Sequence, residues 1–282
     1  MGVPFSINVQ GRLLFLDRPV VMGILNATSD SFFGSSRVTG DDVAVRARRM
    51  LDDGAAILDV GACSTRPDSA PVTEAEELRS LHAVLERLDK ELPEAVVSID
   101  TFRGNVALEC AREHNVAIIN DVSAFEWDSA MFDAVVRLRK PYVLTHSVGS
   151  AGTVAQYDDF LPEVLRKLAG KMWQLRQAGV ADVIIDPGFG FGKSLEQNFG
   201  MLASLRDFSM LDAPLLVGLS RKSMITRLLG VSAAEALPGT VALNMAALAN
   251  GASILRVHDV KEAVQTVRLF RALKGDFDTG GE

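Results

Sequence analysis

Eight times along this chain a polar, helix-like stretch gives way to a short apolar run that ends on a polar residue. The runs fall at 20–26, 55–61, 95–100, 116–121, 141–146, 182–188, 214–220 and 252–259. They are apolar on both faces, as parallel strands covered by helices must be, whereas a strand with one wet face would alternate. The intervals carry amphipathic segments such as 43–51 (VAVRARRML) and 78–88 (LRSLHAVLERL). Thr73 with Glu76, Ser194 with Gln197 and Ser232 with Glu235 read as capping boxes at helix starts. Gly54, Asn115, Gly179 and Gly251 punctuate helix ends just ahead of a strand. Eight such units in one chain predict an α/β fold, a (β/α)8 TIM barrel. A doubly wound sheet fits less well, because the evenly spread units leave no second domain.

Residues 5–16 (FSINVQGRLLFL) read as a β-hairpin turning at Gln10-Gly11 and placed to cap the N-terminal face of the barrel. The expected organisation is one domain over 1–275, with the hairpin within 5–18, and a disordered tail over 276–282. The composition agrees: 282 residues, 48% hydrophobic and 23% charged, exclude a disordered or fibrous chain. The net charge of −7 argues against nucleic-acid and anionic-membrane partners. It leaves room for a small anion, since a few cations focused in a cleft can outweigh a diffuse negative field. Cys63 and Cys110 form no metal or disulfide spacing, so a reducing cytoplasm is the expected compartment. There is no 18-residue apolar run and no signal-peptide layout. Met1-Gly2 with Ser6 fits a myristoylation pattern, but no basic cluster follows to supply a second membrane signal.

In such barrels the chemistry sits at the C-terminal ends of the strands. The polar terminators there are Asn26, Asp59, Asp100, Asn120 with Asp121, His146, Asp186, Ser220 with Lys222, and Arg256 with His258. A ring of acids, amides and cations at one mouth points to a ligand site. The stretch 186–194 (DPGFGFGKS) nearly matches a P-loop, but Pro187 stands where the first glycine belongs and offers no N–H to a phosphate. Lys193 occupies the last glycine of a dinucleotide fingerprint, so that reading fails too. The stretch is better read as a rigid, open loop that projects Phe191 over the mouth. His82 and His114 fall within helix patterns and read as surface residues, while Cys63 reads as a loop residue. With no metal signature and no nucleophile triad, the chemistry should work through positioning and electrostatics.

The segments 22–32 (MGILNATSDSF), 64–67 (STRP), 98–101 (SIDT), 118–122 (IINDV), 185–192 (IDPGFGFG), 218–225 (GLSRKSMI) and 256–260 (RVHDV) resemble, in order, the motifs of the dihydropteroate synthase family. The resemblance implies condensation of 6-hydroxymethyl-7,8-dihydropterin pyrophosphate with para-aminobenzoate, giving 7,8-dihydropteroate and pyrophosphate. It implies that Asp186 anchors the guanidine-like edge of the pterin, that Asn120 and Asp100 serve the remaining ring positions, and that Lys222 donates to the carbonyl side. Arg256 would stack on the ring and reach toward phosphate. Asn26, Arg66, Arg256 and His258 resemble the anion site, with Mg²⁺ near Asn26. Thr65, Pro67, Phe191 and the turn from Ser220 to Lys222 resemble the aminobenzoate pocket, with a helix N-terminus after Ser220 suited to the carboxylate. Asp100, Lys222, Arg256 and His258 form the implied catalytic group, and the implied assembly is a homodimer.

The chain departs from the family pattern at Ala62-Cys63 ahead of the Ser-Thr-Arg-Pro motif, at Ser29 in the first loop, and at Thr145-His146-Ser147, where Met-His-Met is usual. Two other readings share the barrel. A pterin-dependent methyl transfer has no pyrophosphate to hold, which Lys222 with Arg256 and His258 argues against, and a silent pterin binder would bind without turnover. A Schiff-base aldolase using Lys222 is more distant.

Overall fold

A computed structural model describes residues 5–27, 43–62, 72–148 and 159–277. The first element is the expected hairpin, β1 (Ser6–Val9) paired antiparallel with β2 (Arg12–Phe15). Its turn places Gln10 and Gly11 at φ 57° and 83°, the left-handed pair that a tight two-residue hairpin requires. Asn8 Oδ1 accepts the Gly11 N–H at 2.7 Å and locks the turn.

Eight parallel strands follow: β3 (Val20–Asn26), β4 (Ile57–Gly61), β5 (Val97–Asp100), β6 (Val116–Asp121), β7 (Tyr142–Thr145), β8 (Val183–Asp186), β9 (Leu216–Val217) and β10 (Ile254–Val257). They are ordered β8-β7-β6-β5-β4-β3-β10-β9, so neighbours in sequence are neighbours in space apart from the β3–β10 contact that wraps the sheet. The Ile185 N–H donates to Pro214 O at 2.9 Å and Ile185 bridges Leu215, which joins β8 to β9 and closes the barrel. All eight predicted runs are strands. The run at 214–220 keeps only two strand residues, because its second half bends into the turn that carries Ser220 and Lys222.

Between the strands lie α1 (Val43–Asp52), α2 (Glu74–Glu91), α3 (Gly104–Glu113), α4 (Ala130–Leu138), α5 (Phe160–Gln177), α6 (Leu195–Ala203), α7 (Ser223–Leu229), α8 (Leu237–Ala249) and α9 (Val260–Leu273), with a 3-10 helix at Leu205–Leu211. The capping boxes at Thr73 and Ser194 form reciprocally. The third expected box is a correction. Glu235 accepts the Ser232 N–H at 3.0 Å, but that pair locks a turn, and α8 begins at Leu237 with Pro238 in its first turn. Proline suits that position because its missing N–H would have had no helical partner. Asn115 also ends its helix unlike the glycines: His114 caps α3 in extended conformation, and the Asn115 Nδ2 donates to Pro93 O at 2.9 Å.

Strand side chains alternate between two shells, because successive residues point to opposite faces. Val21, Leu58, Val60, Ile99, Ile119, Leu144, Ile185, Val217 and Leu255 pack outward against the helices. Met22, Ile57, Ile118, Val143, Ile184, Leu216 and Ile254 fill the lower interior, and the hairpin contributes Ile7, Val9 and Leu16 to the same cluster. The hairpin therefore closes the floor of the barrel, as expected.

Candidate active site

One strand period above the apolar floor, the inward positions turn polar. Asp59 follows Ile57, Ser98 follows Val96, Asn120 follows Ile118, Thr145 follows Val143, Asp186 follows Ile184 and Arg256 follows Ile254. Of these, Asp59, Ser98, Asn120, Thr145 and Asp186 are buried. Asp100 and His258 stand one period higher, on β5 and just beyond β10. The sheet register aligns these ends: Asp100 pairs with Asn120, and Thr145 with Asp186.

Arg256 organises one side of the layer. Its Nε donates to Asp59 Oδ2 and its Nη2 to Asp100 Oδ2, both at 2.6 Å, and Asn120 Nδ2 donates to the same Asp59 oxygen at 3.0 Å. Burial works against the Arg256 charge, but Asp59 and Asp100 outweigh it and hold its pKa above the ordinary value. Burial pushes the Asp100 carboxyl up; Arg256 opposes this, while the nearby acids Asp59, Glu77 and Asp121 add to it.

Lys222 and Asp186 organise the other side. Burial pulls the Lys222 ammonium down to about 8, with Asp186 resisting and Arg256 assisting. Burial raises the Asp186 carboxyl, and Lys222 opposes that rise most strongly. The Lys222 ammonium donates to Phe189 O and lies 4.7 Å from the centre of the Phe191 ring. Phe191 is thus held against the mouth, where the sequence reading placed it. The turn from Ser220 to Lys222 is tied to the start of α9 by Arg221, which makes a two-pronged contact with Asp259 at 2.9 and 2.7 Å, the strong planar geometry of guanidinium with carboxylate. Ser220 Oγ lies 2.9 Å from His258 Nδ1 and accepts the His258 N–H at 3.2 Å. Helix α7 starts at Ser223, with Lys222 at its N-cap.

The loop 186–194 is built from inside. The Asp186 Oδ1 accepts the Gly188 N–H at 2.8 Å. The buried Lys193 ammonium donates to three carbonyls, His146 O at 2.9 Å, Gly188 O at 2.7 Å and Phe191 O at 3.0 Å. Lys193 is a fastener under the loop, a role the sequence reading did not assign.

Among the implied residues, Asp100, Asn120, Asp186, Phe191, Ser220, Lys222, Arg256 and His258 converge on this mouth. Asn26 ends β3 there with its side chain exposed, and Arg46 donates to its backbone carbonyl at 3.2 Å. Thr65, Arg66 and Pro67 lie outside the described residues, as do Cys63 and Ser29. Two terminators serve other ends. Asp121 faces the helix shell, accepting from Ser123 N and Oγ, Phe125 N and the Tyr142 hydroxyl at 2.7–2.8 Å. His146 is buried, and burial with Lys193, Lys167 and Lys171 depresses its imidazole to about 2, so it is neutral. From the sequence Asp59 was read only as a polar strand end, and Ser98 and Thr145 only as members of motif segments, with no contact assigned to any of them. Their signal was parity, since each sits two residues above an inward apolar one.

The model of the family described as pterin binding enzyme matches residues 22–258. The chain belongs to the pterin-binding enzyme family. The dihydropteroate synthase of Escherichia coli strain K12 is 41% identical over 269 residues, covering 93% of this chain and 94% of that protein. The structure of Xanthomonas albilineans dihydropteroate synthase with 4-aminobenzoic acid superposes with a TM-score of 0.88 at 38% identity, covering 96% of this chain and 99% of that one. That of Yersinia pestis dihydropteroate synthase in a sulfonamide drug complex gives 0.88 at 36% identity, covering 96% and 100%. Within the family the chain thus sits among the dihydropteroate synthases, which are transferases.

Proposed function

We propose that the mouth condenses 6-hydroxymethyl-7,8-dihydropterin pyrophosphate with para-aminobenzoate, releasing 7,8-dihydropteroate and pyrophosphate. The observation that carries this reading is the state of the polar layer. Asp59 Oδ1, Ser98 Oγ and Thr145 Oγ1 are buried and have no hydrogen-bond partner among the described residues. Buried polar atoms left so are costly, about 1–3 kcal/mol each, and they mark a polar layer whose Asp186, Asn120, Asp100 and Lys222 suit a flat heterocycle edged with donors and acceptors. A pterin has such an edge. Asp186 accepts from its 2-amino and N3–H groups, Asn120 and Asp100 serve the remaining ring atoms, and Lys222 donates to the carbonyl.

The leaving pyrophosphate needs cations and hydrogen-bond donors, which Arg256 and His258 would offer at the mouth, with Arg66 assigned to the same group. Electron release from the dihydropterin ring lets the methylene carbon lose pyrophosphate ahead of attack, so stabilising the departing anion is the main catalytic task. The arylamine of para-aminobenzoate is a neutral nucleophile near pH 7 and requires no strong base. Phe191 would receive its ring and the turn at Ser220 its carboxylate, and the same reading assigns Thr65 and Pro67 to that pocket.

The exposed amide oxygen of Asn26 is a hard donor of the kind Mg²⁺ accepts, and Mg²⁺ commonly takes few protein ligands beside water and substrate phosphates. Asn26 would hold the ion, which when bound supplies charge to the pyrophosphate oxygens. A homodimer and a cytoplasmic location belong to the same reading. No described helix is long and apolar enough to cross a membrane.

The test is pyrophosphate release from the purified protein with Mg²⁺ and both substrates. Release that depends on para-aminobenzoate is expected, and its absence at saturation rejects the reading. Lys222→Ala and Asp186→Asn should each weaken pterin binding by about 1.5–3 kcal/mol, roughly 10- to 150-fold, as loss of a charge-assisted hydrogen bond does. Calorimetric affinity equal to wild type would remove those two assignments.

A further inference from the structure

Away from the mouth, α2 and α3 bring two histidines together. His82 Nδ1 lies 2.7 Å from His114 Nε2, with the ring planes tilted by 51° so that edges, not faces, meet. Each outer nitrogen is claimed by a carboxylate: His114 Nδ1 lies 2.7 Å from Asp89 Oδ2, and His82 Nε2 lies 3.3 Å from Glu109 Oε1. Asp89 is itself fixed, its Oδ1 accepting the Asn115 N–H at 3.0 Å. Glu113 Oε2 approaches the inner His82 nitrogen at 3.7 Å, and the ligand atoms of His82, Glu113 and His114 all lie within 4.8 Å of one another.

The tautomers follow from the outer contacts. A carboxylate accepts, so each imidazole directs its N–H outward and turns a lone pair inward. Two lone pairs 2.7 Å apart repel unless a cation sits between them. A proton can do this for the two nitrogens alone. A metal ion does it while also engaging the Glu113 oxygen, and the three acids Asp89, Glu109 and Glu113 offset its charge.

We propose that His82, His114 and Glu113 form a binding site for a divalent transition metal of the Zn²⁺ class, oriented by Asp89 and Glu109 and open at a fourth position. Two imidazoles and a carboxylate are a borderline-soft set that suits Zn²⁺ over Mg²⁺. Zn–N bonds of about 2.0–2.1 Å in a tetrahedron hold the nitrogens roughly 3.3 Å apart, so a small side-chain shift suffices. His114 precedes β6, at the end of the barrel opposite the strand C-termini, so the site is separate from the substrate mouth and does not depend on what the mouth binds. The ion would clip α2 to α3 beside the floor.

The experiment is calorimetric titration of chelator-treated full-length protein with ZnCl2 under excess MgCl2, with Co²⁺ as a spectroscopic stand-in. One equivalent of Zn²⁺, the intense visible bands of tetrahedral Co²⁺ and a Zn²⁺-dependent rise in Tm are expected. The His82→Asn and His114→Asn variants should lose that equivalent. Asp89→Asn should weaken binding about 10- to 100-fold, as loss of an outer partner does. Glu113→Gln, at an exposed side chain that folding does not need, should weaken binding with Tm in the absence of metal unchanged. Failure of the wild type to bind, or equal binding by wild type and Glu113→Gln, overturns the proposal.

Discussion

At the scale of single residues the mouth is a set of opposed charges in which burial moves Asp100, Asp186 and Lys222 toward neutrality while paired carboxylates keep Arg256 charged. Lys222 is the most exploitable case, because burial brings its ammonium down to about 8, within reach of ordinary buffers. If Lys222 donates to the pterin carbonyl, affinity for the pterin substrate falls as pH rises through about 8. The stability contribution of the same group runs the other way. Its folded-state pKa lies below the unfolded value, so between about 8 and 10.5 the unfolded chain holds a proton that the native state has released, and stability rises with pH. Lys222→Arg cannot deprotonate in this range and should remove the alkaline limb from the affinity profile. An unchanged limb in that variant would assign the titration to another group.

At the scale of elements, the order of strands and helices was legible because each strand announces itself by an apolar run and each of its ends by a change of polarity. The pairing of Asp59 with Arg256 was not, since it spans 197 residues and exists only once the barrel closes. Lys193 misled in a different way: its spacing failed two phosphate motifs, while its actual partners are carbonyls of its own loop and of His146. His82 and His114 were read as surface residues because nothing in either helix shows the other. The loop after β8 tests how rigidly an element must be held. Gly188 has φ 71°, and a Cβ there would strike the His146 carbonyl. Gly179 has φ 85° but nothing within 4 Å, so it isolates the backbone effect. Gly179→Ala should cost about 1–2 kcal/mol of stability by denaturant titration and leave pterin affinity intact. Gly188→Ala should cost more and also weaken pterin binding, since moving the backbone away from the His146 carbonyl disturbs the Gly188 N–H bond that holds Asp186. Equal behaviour of the two variants would mean the loop does not position the site.

At the scale of the whole molecule, the net charge of −7 says little about the ligand, because several of the acids are internal to one polar layer and the decisive cations share a single mouth. The barrel instead divides its labour along its axis, with the polar layer above and the apolar plug below. Ile7 is the sharpest probe of the lower half, being 1% exposed and packed with Met22, Ile57 and Ile254 although it belongs to the hairpin. Ile7→Ala should open a cavity at the floor and destabilise the protein by about 2–5 kcal/mol, because the rigid strand ends around it cannot collapse inward. In a chain of this size each kcal/mol moves Tm by roughly 2–4 °C, so the loss is readable by calorimetry. The strands transmit little of it upward, because the polar layer is held laterally, by Arg256 to Asp59 and Asp100 and by Arg221 to Asp259. KM for both substrates should therefore stay at the wild-type value at temperatures well below the lowered Tm. A KM that rises together with the stability loss would show that floor and mouth are one cooperative unit, and that the hairpin belongs to the site.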